Sequence, residues 1–368
     1  MNPVRPDYDG AWVGGIVPAL LEKAGGPWLP APVADAACVV LLVLDGLGWD
    51  SLVAHRPRLP SLSAMAGGPI TTAAPSTTAA GLTSITTGAP PAQHGITGYR
   101  MRVGGDVLNV LGWTVSGNGK APDPEQVQPR AAFLGRRVPV VTRAEFRGTG
   151  FTAAHLRGAE FVGWRTAATL VEHVRRLVAA GARLVYAYYE GVDKVAHAYG
   201  LNDEFFAGEL SAADRLVTDL LDVLPRDCAL LVTSDHGQVH VGPDGQRKLT
   251  ELDPMIALYS GEGRLRSLHS RAGAAGELAA AATERFGHLA WVMTRAQLFD
   301  EGWLGPGSTA TVRGRVGDVV LAAREPVAFI DPAQPGEAKL IAAHGSLTRQ
   351  EMLVPLLAAR GRADRSRA

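Results

Sequence analysis

Seven residues with oxygen or nitrogen side chains stand at the ends of apolar or small-residue runs, far apart along the chain. Their carboxylates, imidazoles and one hydroxyl are ligand groups for divalent transition metals such as zinc. Seven ligands suffice for two metal ions, and such a pair clamps the attacking and leaving oxygens of a displacement at phosphorus. The set therefore predicts a metallohydrolase that acts on a phosphoryl centre, with the ligands Asp45, Thr78, Asp193, His197, Asp235, His236 and His344.

Two of these positions share a local pattern, an apolar run that ends in an acidic residue and is followed by glycine. The segment VVLLVLDGLG contains Asp45, and LLVTSDHG contains Asp235 and His236. A buried strand presents the residues at its carboxyl end to the cleft of an α/β sheet, so both patterns place ligands at the same edge. An Asp-Gly step alone is more often a simple turn, whereas Asp-His-Gly after a strand is the more specific signal.

The segments around Asp193 and His344 are weaker signals when each is taken alone. Asp193 and His197 are four residues apart and share one face of a helical turn, which also fits an exposed helix pair. His344 precedes a Gly-Ser turn and a predicted helix in which Thr348 and Glu351 form a capping box. A buried structural histidine is the alternative there.

Thr78 is the predicted nucleophile. It lies in TTAAPSTTAAGLTSITTG, a segment rich in hydroxyls and small residues. A hydroxyl at the start of a helix can bind a metal and attack phosphorus, while the helix N-terminus favours the anionic phosphate. Capping of the helix is the alternative role of such hydroxyls, and it is the one predicted for Ser76 and Thr77.

The remaining pattern indicates an α/β protein with a largely parallel sheet. Continuous apolar runs predict buried strands, and between them lie helical repeats such as TAATLVEHVRRLVAA and FFAGELSAADRLVTDLLDVL. Alternation of the two places helices on both faces of the sheet. The predicted strands are Val39 to Leu44, Val138 to Val141, Leu184 to Tyr189, Ala229 to Thr233 and Val319 to Ala323.

We divide the chain into an N-terminal arm (1–36), a single catalytic domain (37–357) and a flexible tail (358–368). The arm contains a short helix over IVPALLEKAG (16–25). Two segments break the strand and helix alternation, 99–135 with a hairpin and polar loop, and 250–316 with strand and helix signals. We interpret both as insertions near the cleft. Arginines in the second, at 264, 266 and 271, are candidates for phosphate contact or for a solvated surface.

The composition limits the binding partners and the cellular compartment that we expect for the protein. The formal net charge is 0 and the pI is about 7.2, so the chain has no basic field for nucleic acid or anionic membranes. Its first sustained apolar run is too short to span a membrane, which takes ~20 residues. The two cysteines, Cys38 and Cys228, lie in apolar runs and favour buried thiols over a disulfide. We expect a cytoplasmic protein that takes a small-molecule substrate.

The ordered set resembles the alkaline phosphatase superfamily, most closely its nucleotide pyrophosphatase/phosphodiesterase branch, from about Val39 to Leu357. The resemblance implies a three-layer αβα sandwich with small inserted cap elements. It also implies two zinc ions, or other divalent transition metals, one with Asp193, His197 and His344, and one with Asp45, Asp235, His236 and Thr78.

Two substrate contacts are part of the same resemblance. The branch usually has an asparagine three residues after its nucleophile that binds a phosphate oxygen, whereas this chain has Gly81 there. An aromatic residue at the strand end, here Tyr189, stacks on the substrate in relatives, and a packed core tyrosine is the alternative.

Three functions are compatible with these residues. The leading one is hydrolysis of phosphodiester or pyrophosphate bonds, with nucleotide-type substrates, through Thr78 and a phosphothreonine intermediate. The second is a phosphomonoesterase or phosphonate hydrolase of the same superfamily. The third is a metal-binding protein without turnover, which the complete ligand set with a nucleophile disfavours.

Overall fold

The computed structural model describes residues 2–22, 26–117 and 119–364. Its strands, in chain order, are β1 Cys38–Leu44, β2 Ala66–Thr71, β3 Arg100–Val103, β4 Asp106–Asn109, β5 Thr114–Val115, β6 Pro139–Arg143, β7 Glu160–Trp164, β8 Leu184–Tyr189, β9 Cys228–Thr233, β10 Val239–His240, β11 Gln246–Arg247, β12 Ile256–Glu262, β13 Leu265–Ser270, β14 Ala290–Thr294, β15 Val319–Ala323, β16 Ala328–Phe329, β17 Ala342–Ala343 and β18 Leu353–Arg360.

The α-helices lie between these strands, with short 3-10 segments in the connections. They are α1 Ile16–Glu22, α2 Trp49–Ala54, α3 Pro60–Ala64, α4 Thr78–Thr87, α5 Pro91–His94, α6 Pro124–Val127, α7 Gly150–His155, α8 Ala167–Ala179, α9 Gly191–Tyr199, α10 Glu204–Val223, α11 Ala275–Phe286, α12 Arg295–Asp300, α13 Ala310–Arg313 and α14 Arg349–Met352.

The central sheet has the strand order β2-β18-β9-β1-β8-β6-β7. Every pairing from β9 to β7 is parallel, whereas β18 runs antiparallel to both β9 and β2. The prediction of a largely parallel sheet is therefore confirmed. Because β1 lies between β8 and β9, the loops that follow these three strands meet at the same edge.

Helices cover both faces of this sheet, because alternate side chains of each strand point to opposite sides. In β1, Val39, Leu41 and Val43 pack into one core with α1, α4 and α7. The intervening Val40, Leu42 and Leu44 pack into a second core with α2, α3, α8, α9 and α10. The result is the three-layer αβα sandwich expected from the resemblance. Cys38 and Cys228 are paired in register in β1 and β9 as buried thiols.

One predicted strand belongs to a different sheet. Val319–Ala323 is fully buried, but it lies in a four-stranded antiparallel sheet of order β12-β13-β15-β14 and not in the central parallel sheet. Its apolar run has the appearance of a parallel strand because both its faces are covered, by α11 on one side and by a separate apolar cluster on the other.

The insertions have the elements that their sequences indicate. Residues 99–135 form the antiparallel sheet β3-β4-β5 and the short helix α6. Residues 250–316 form β12 to β14 with α11 to α13. Asn118, within the first insertion, lies outside the described residues.

The C-terminal segment differs from its prediction. Thr348 and Glu351 form no capping box, since the Thr348 side chain does not cap α14 and its Oγ1 lies 2.5 Å from Glu351 Oε2. The predicted helix is only one turn, followed by β18, which pairs on both sides and continues to Arg360. Residues 358–364 are therefore not a flexible tail, because β18 and a bridge from Ala363 to Pro225 hold them.

The described residues of the predicted arm helix, Ile16–Glu22, form α1, which packs on α4. Lys23 to Gly25 of that prediction, and residues 365–368 of the tail, lie outside the described residues. No helix among the described residues is both long and apolar enough to cross a membrane.

Candidate active site

The loops after β1, β8 and β9 bring most of the predicted ligands together. Asp45 directly follows β1, and Asp235 and His236 follow β9. Asp193 lies in the first turn of α9, which begins just after β8. Gly46 has φ 77°, and an added Cβ there would lie 2.4 Å from Gln238 Nε2 and 2.9 Å from Asp193 Cβ. Glycine at 46 therefore lets the Asp45 turn approach Asp193.

Asp193, His197 and His344 form the first donor group, with one ligand atom from each within 4.8 Å of the others. Asp193 Oδ1 lies 3.3 Å from His197 Nε2 and 3.8 Å from His344 Nε2. His344 directly follows β17, and the backbone bond from Ile341 N, just before β17, to His197 O joins this strand to α9. This is the first ligand set that the resemblance implies.

The second donor group consists of Asp45, His236 and again Asp193. His236 Nε2 lies 3.3 Å from Asp45 Oδ1 and 3.6 Å from Asp235 Oδ2. Asp235 is thus adjacent to this group but not part of the tightest set, and its Oδ1 accepts a bond from Gly46 N at 3.3 Å. The structure therefore places Asp193 between the two groups, a sharing that the sequence analysis did not predict.

The three imidazoles are oriented by main-chain carbonyls. His197 Nδ1 lies 2.7 Å from Ala342 O, and His236 Nδ1 lies 3.1 Å from Gly237 O. His344 Nδ1 lies 2.9 Å from Ser76 O. A carbonyl only accepts, so each Nδ1 carries a proton and each ring turns its Nε2 toward the site. This is the arrangement that metal-ligating histidines usually have.

Two residues that the sequence analysis missed hold the carboxylates. The Tyr188 hydroxyl donates to Asp45 Oδ2, and Gln238 Nε2 donates to Asp193 Oδ1 at 2.9 Å. Tyr188 is buried next to the predicted contact Tyr189, and Gln238 is the second residue after His236. Their positions beside predicted ligands are the only sequence signal for these roles.

The charges of the site are unbalanced without cations. Burial, and then the negative charges of Asp235 and Asp193, raise the pKa of Asp45 well above its ordinary value. Burial also raises the pKa of Asp235 and lowers that of His344 well below its usual range, where His236 and His197 lower it further. The lowered pKa keeps His344 in the neutral, metal-binding form, and the carboxylates lack a counter-charge.

Two carboxylate oxygens without partners are a second observation that supports divalent metal ions in the donor set. Asp45 Oδ1 and Asp235 Oδ2 are buried and make no hydrogen bond to any described residue. A buried carboxylate oxygen without a partner is costly, and a cation would satisfy it. Oxygen and imidazole nitrogen ligands in this ratio suit zinc.

Thr78 is the first residue of α4, where the sequence analysis predicted the start of a helix. Its Oγ1 lies 3.0 Å from His236 Nε2, which places the hydroxyl in the second donor group. No side chain caps this helix end, so its first backbone N–H groups are open to an anion.

The predicted capping roles are wrong. Thr77 stands at the N-cap position, but its Oγ1 makes no hydrogen bond among the described residues. Ser76 Oγ instead donates to Ser346 O at 2.7 Å, because the loop that carries His344 pairs with residue 76.

Both residues implied as substrate contacts, Gly81 and Tyr189, have close neighbours within the chain. Gly81 faces Asp235, since a Cβ there would lie 2.6 Å from Asp235 O, so close helix packing excludes a side chain. The Tyr189 hydroxyl donates to Glu209 Oε1 at 2.7 Å, and its ring stacks on Trp164. Neither residue lines the cleft.

The arginine candidates are not available to a phosphate. Arg264 and Arg266 are fully buried, Arg264 in a two-pronged pair with Glu351 (2.8 and 2.9 Å) and Arg266 with Glu337 and Phe329 O. Arg271 Nε donates to Pro254 O at 2.9 Å. Both buried pairs connect the small antiparallel sheet to loops around the site.

A cleft of about 420 Å³ opens over the donor groups. The side of the cleft at the donor groups is formed by Thr77, Thr78, Asp193, His197 and His344. The rest of its wall comes from the two insertions, from Gln246 in β11 and from the segment from 328 to 340. The residues are Tyr99, Leu111, Gln246, Glu262, Gly263, Gln334 and Glu337 among others. None of the described lining residues is lysine or arginine.

A parallel α/β sandwich with two donor groups and a helix-terminal hydroxyl defines an alkaline phosphatase-like metal-dependent protein. The sequence profile of the type I phosphodiesterase / nucleotide pyrophosphatase family matches residues 39–347. The chain belongs to this family, which is part of the alkaline phosphatase superfamily. The family is metal-dependent, and membership in it indicates a phosphoester hydrolase.

Solved structures share the fold at low sequence identity. Murine ectonucleotide pyrophosphatase / phosphodiesterase 5 is 15% identical with a TM-score of 0.68, over 89% of this chain and 88% of that chain. An inactive threonine-to-alanine variant of the murine protein has been solved in complex with AMP. Phosphonoacetate hydrolase from Sinorhizobium meliloti 1021, in complex with phosphonoacetate, is 19% identical with a TM-score of 0.62, over 91% of both chains.

Among curated proteins, the match to GPI ethanolamine phosphate transferase 3 of Schizosaccharomyces pombe is short. It is 31% identical over 77 residues, 21% of this chain, and it spans only 8% of that protein. The human catalytic subunit is 29% identical over 92 residues and is also matched over 8% of its length.

Proposed function

We propose that the protein hydrolyses phosphodiester or pyrophosphate bonds with two zinc ions, using Thr78 as nucleophile. Asp193, His197 and His344 would hold one ion, and Asp45, Asp235, His236 and Thr78 the other, with Asp193 close to both. The observation that carries the proposal is the Thr78 hydroxyl, at an uncapped helix N-terminus and 3.0 Å from His236 Nε2. The murine neighbour is inactive when one of its threonines is replaced by alanine, and this supports a threonine as nucleophile.

Zinc at these positions supplies positive charge for the attacking and leaving oxygens. The chain's own residues do the rest. Thr78 Oγ1 forms a bond to phosphorus as the bond to the leaving alcohol breaks, which gives phosphothreonine, and the hydroxyl proton ends on that alcohol. The first N–H groups of α4 face the phosphoryl oxygens. Water then cleaves phosphothreonine and restores the hydroxyl.

The lining of the cleft favours a diester over a monoester. A phosphomonoester carries a second negative charge. A site that binds a monoester would need an extra cation beside the nucleophile to balance this charge. Arg264 and Arg266 are committed to buried carboxylates, and no described lining residue is basic. Monoester and phosphonate hydrolysis therefore remain the second candidate.

Turnover of bis(p-nitrophenyl) phosphate and p-nitrophenyl phosphate at equal concentration, with added zinc, tests the proposal. We expect faster hydrolysis of the diester. Thr78→Ala should abolish turnover but keep most of the bound zinc, because Asp45, Asp235 and His236 remain. Thr86→Ser, at a buried hydroxyl in the same helix that bonds Leu82 O, is the control and should stay active. An active Thr78→Ala protein would remove the nucleophile from this proposal.

A further inference from the structure

Two imidazoles from different donor groups lie in contact. The rings of His236 and His344 stack with their centroids 3.6 Å apart and an angle of 12° between their planes. His344 belongs to the first donor group and His236 to the second. They come from separate segments, the 344–348 loop between β17 and α14 and the 234–238 loop between β9 and β10. The spacing of the two groups therefore depends on what holds these loops relative to each other.

The side chain of Glu351, in α14, holds the 344–348 loop. Its Oε1 accepts from Ser346 N at 2.9 Å, and its Oε2 accepts from Thr348 Oγ1 at 2.5 Å. The carboxylate is fully buried, and Arg264 donates two further bonds to it, from Nε at 2.9 Å and from Nη2 at 2.8 Å. A carboxylate offers about four acceptor positions, and all of them are occupied here. The carboxylate is thus fixed on both its oxygens.

The main chain of the same residue holds the 234–238 loop. Gly237 N donates to Glu351 O at 2.9 Å, and Gly237 O lies 3.1 Å from His236 Nδ1, whose ring it orients. The approach is close, because a Cβ on Gly237 would lie 2.0 Å from the main-chain oxygen of Gln350. The single turn of α14 therefore packs directly against the loop that carries His236.

Arg264 connects this residue to the small antiparallel sheet. Besides Glu351, the buried guanidinium donates to the main-chain oxygens of residues 323, 325 and 327, so all five of its N–H groups are used. Ser346 Oγ reaches the same segment, at Ala323 O, with 2.7 Å. A buried ion pair is tolerated where its geometry is good and its remaining donors are satisfied, and both conditions hold here.

We propose that Glu351 is a positioning residue for both donor groups and sets the spacing of the two metal ions. The inference rests on the proposed function, because it concerns the two zinc ions proposed there. Glu351 acts through Ser346, two residues after the ligand His344, and through Gly237, the residue after His236. Loosening Glu351 should therefore weaken zinc binding at both groups together.

Competition titration of zinc against a chromophoric chelator tests this without requiring turnover. Glu351→Gln keeps the shape of the side chain, removes the charge that Arg264 pairs with, and places an amide N–H2 group against N–H donors. We expect both zinc dissociation constants to rise by roughly 10 to 100-fold. The visible absorption spectrum of the cobalt-loaded protein, which reports ligand geometry, should change as well. Unchanged constants in a folded Glu351→Gln protein overturn the inference, and a rise in only one of them contradicts the joint support.

Asp331→Asn is the matched control. Asp331 also pairs with a buried arginine, Arg100, and accepts a main-chain bond from Ala333 N at 2.9 Å. Neither side chain of this pair bonds to the 344–348 or 234–238 loop among the described residues. Asp331→Asn should lower the midpoint of thermal unfolding but leave both zinc dissociation constants unchanged. If it raises them as Glu351→Gln does, general destabilisation is the cause and the inference is wrong.

A milder pair of variants keeps the test available if Glu351→Gln does not fold. Thr348→Val keeps the branched shape and removes the hydroxyl that donates to Glu351 Oε2. Loss of this one hydrogen bond should weaken zinc binding by roughly 2 to 10-fold. Thr348→Ser keeps the hydroxyl and should bind zinc as the wild-type protein does. Equal zinc affinities of the two variants contradict the inference.

Zinc stoichiometry and turnover separate this inference from the proposed function. Two bound zinc ions and turnover of the diester, with zinc affinities that Glu351→Gln does not change, overturn the inference alone. Two zinc ions whose affinities fall in Glu351→Gln, without hydrolysis of any diester, contradict the proposed function and support the inference. Fewer than two bound ions in the wild-type protein overturn both.

Discussion

At the scale of single residues, the ligands depend on partners that hold them in place. Three imidazoles are fixed through Nδ1 by main-chain carbonyls, and two carboxylates are held by Tyr188 and Gln238. Such supporting groups set ligand orientation, and their removal typically costs 10 to 100-fold in metal affinity or activity. The chain should therefore be sensitive at positions that touch no substrate.

Tyr188→Phe is the most specific test of this dependence. It removes the hydroxyl that donates to Asp45 Oδ2 and keeps the buried ring. We expect zinc affinity at the second donor group to fall by roughly 10 to 100-fold with little loss of fold. Titration of zinc into protein from which a chelator has removed the metal measures this affinity.

Tyr189→Phe provides the matched control, because that hydroxyl bonds Glu209 and not a predicted ligand. It should leave zinc affinity unchanged. Equal effects of the two substitutions would show that Tyr188 acts through packing alone.

At the scale of elements, α4 is the helix that packs directly against the site. All ten of its residues are buried, and its threonines bond back to the preceding turn, as Thr83 does to Ala79 O at 2.7 Å. These bonds satisfy hydroxyls that a core would otherwise leave unpaired. The helix can thus approach the loop after β9 closely enough for Gly81 to contact Asp235.

Gly81→Ala should be destabilising despite the better helix propensity of alanine. Alanine gains about 1 kcal/mol in a helix, but the new Cβ would lie 2.6 Å from Asp235 O, and overpacking costs about 1–3 kcal/mol. Displacement of Asp235 should also weaken zinc binding. Urea unfolding and zinc titration measure the two effects.

Gly208→Ala is the control for this substitution. Gly208 lies within α10, where an added Cβ meets no atom within 4 Å. We expect a gain of about 0.5–1 kcal/mol there. A similar gain at Gly81 would contradict the close contact with Asp235.

The element scale also shows what the sequence could predict. The strands β1, β8 and β9 were predicted within a residue or so, because buried parallel strands are continuous apolar runs that end in turn residues. β2 has the sequence AGGPIT, which lacks such a run, and its place at the sheet edge depends on pairing with β18. β18 itself follows a turn rich in helix-forming residues, so its local sequence indicated a helix.

At the scale of the whole molecule, the site is an assembly of distant segments. All seven predicted ligands converge. Asp45, Asp235 and His236 follow strands at one edge of the sheet, whereas Asp193 and His197 lie in α9, Thr78 begins α4 and His344 follows β17. The sharing of Asp193 and the support from Tyr188 depend on contacts between residues far apart in sequence, which no local pattern encodes. The zinc identity, the phosphothreonine intermediate and the cytoplasmic location remain predictions.

Metal removal should make the stability of the whole fold depend on pH. The folded-state pKa of Asp45 lies well above that of the unfolded chain, so the chelated folded protein binds more protons. The contribution of Asp45 to the free energy of unfolding should therefore fall as the pH rises from about 4 through that raised pKa. A bound cation takes the place of the proton and removes this dependence.

Thermal unfolding between pH 5 and 8, with chelator and with zinc, measures the effect. The stabilisation by zinc should increase as the pH rises. A zinc effect that is constant over this range would show that the buried carboxylates do not lack a counter-charge.

The central claim is that Thr78 attacks phosphorus and is then released by water. The stereochemical course of hydrolysis of a diester with a chiral phosphorothioate centre tests it most directly. Two successive in-line displacements, the first by Thr78 Oγ1, predict net retention of configuration at phosphorus. Net inversion would mean a single direct attack by water and would contradict the account.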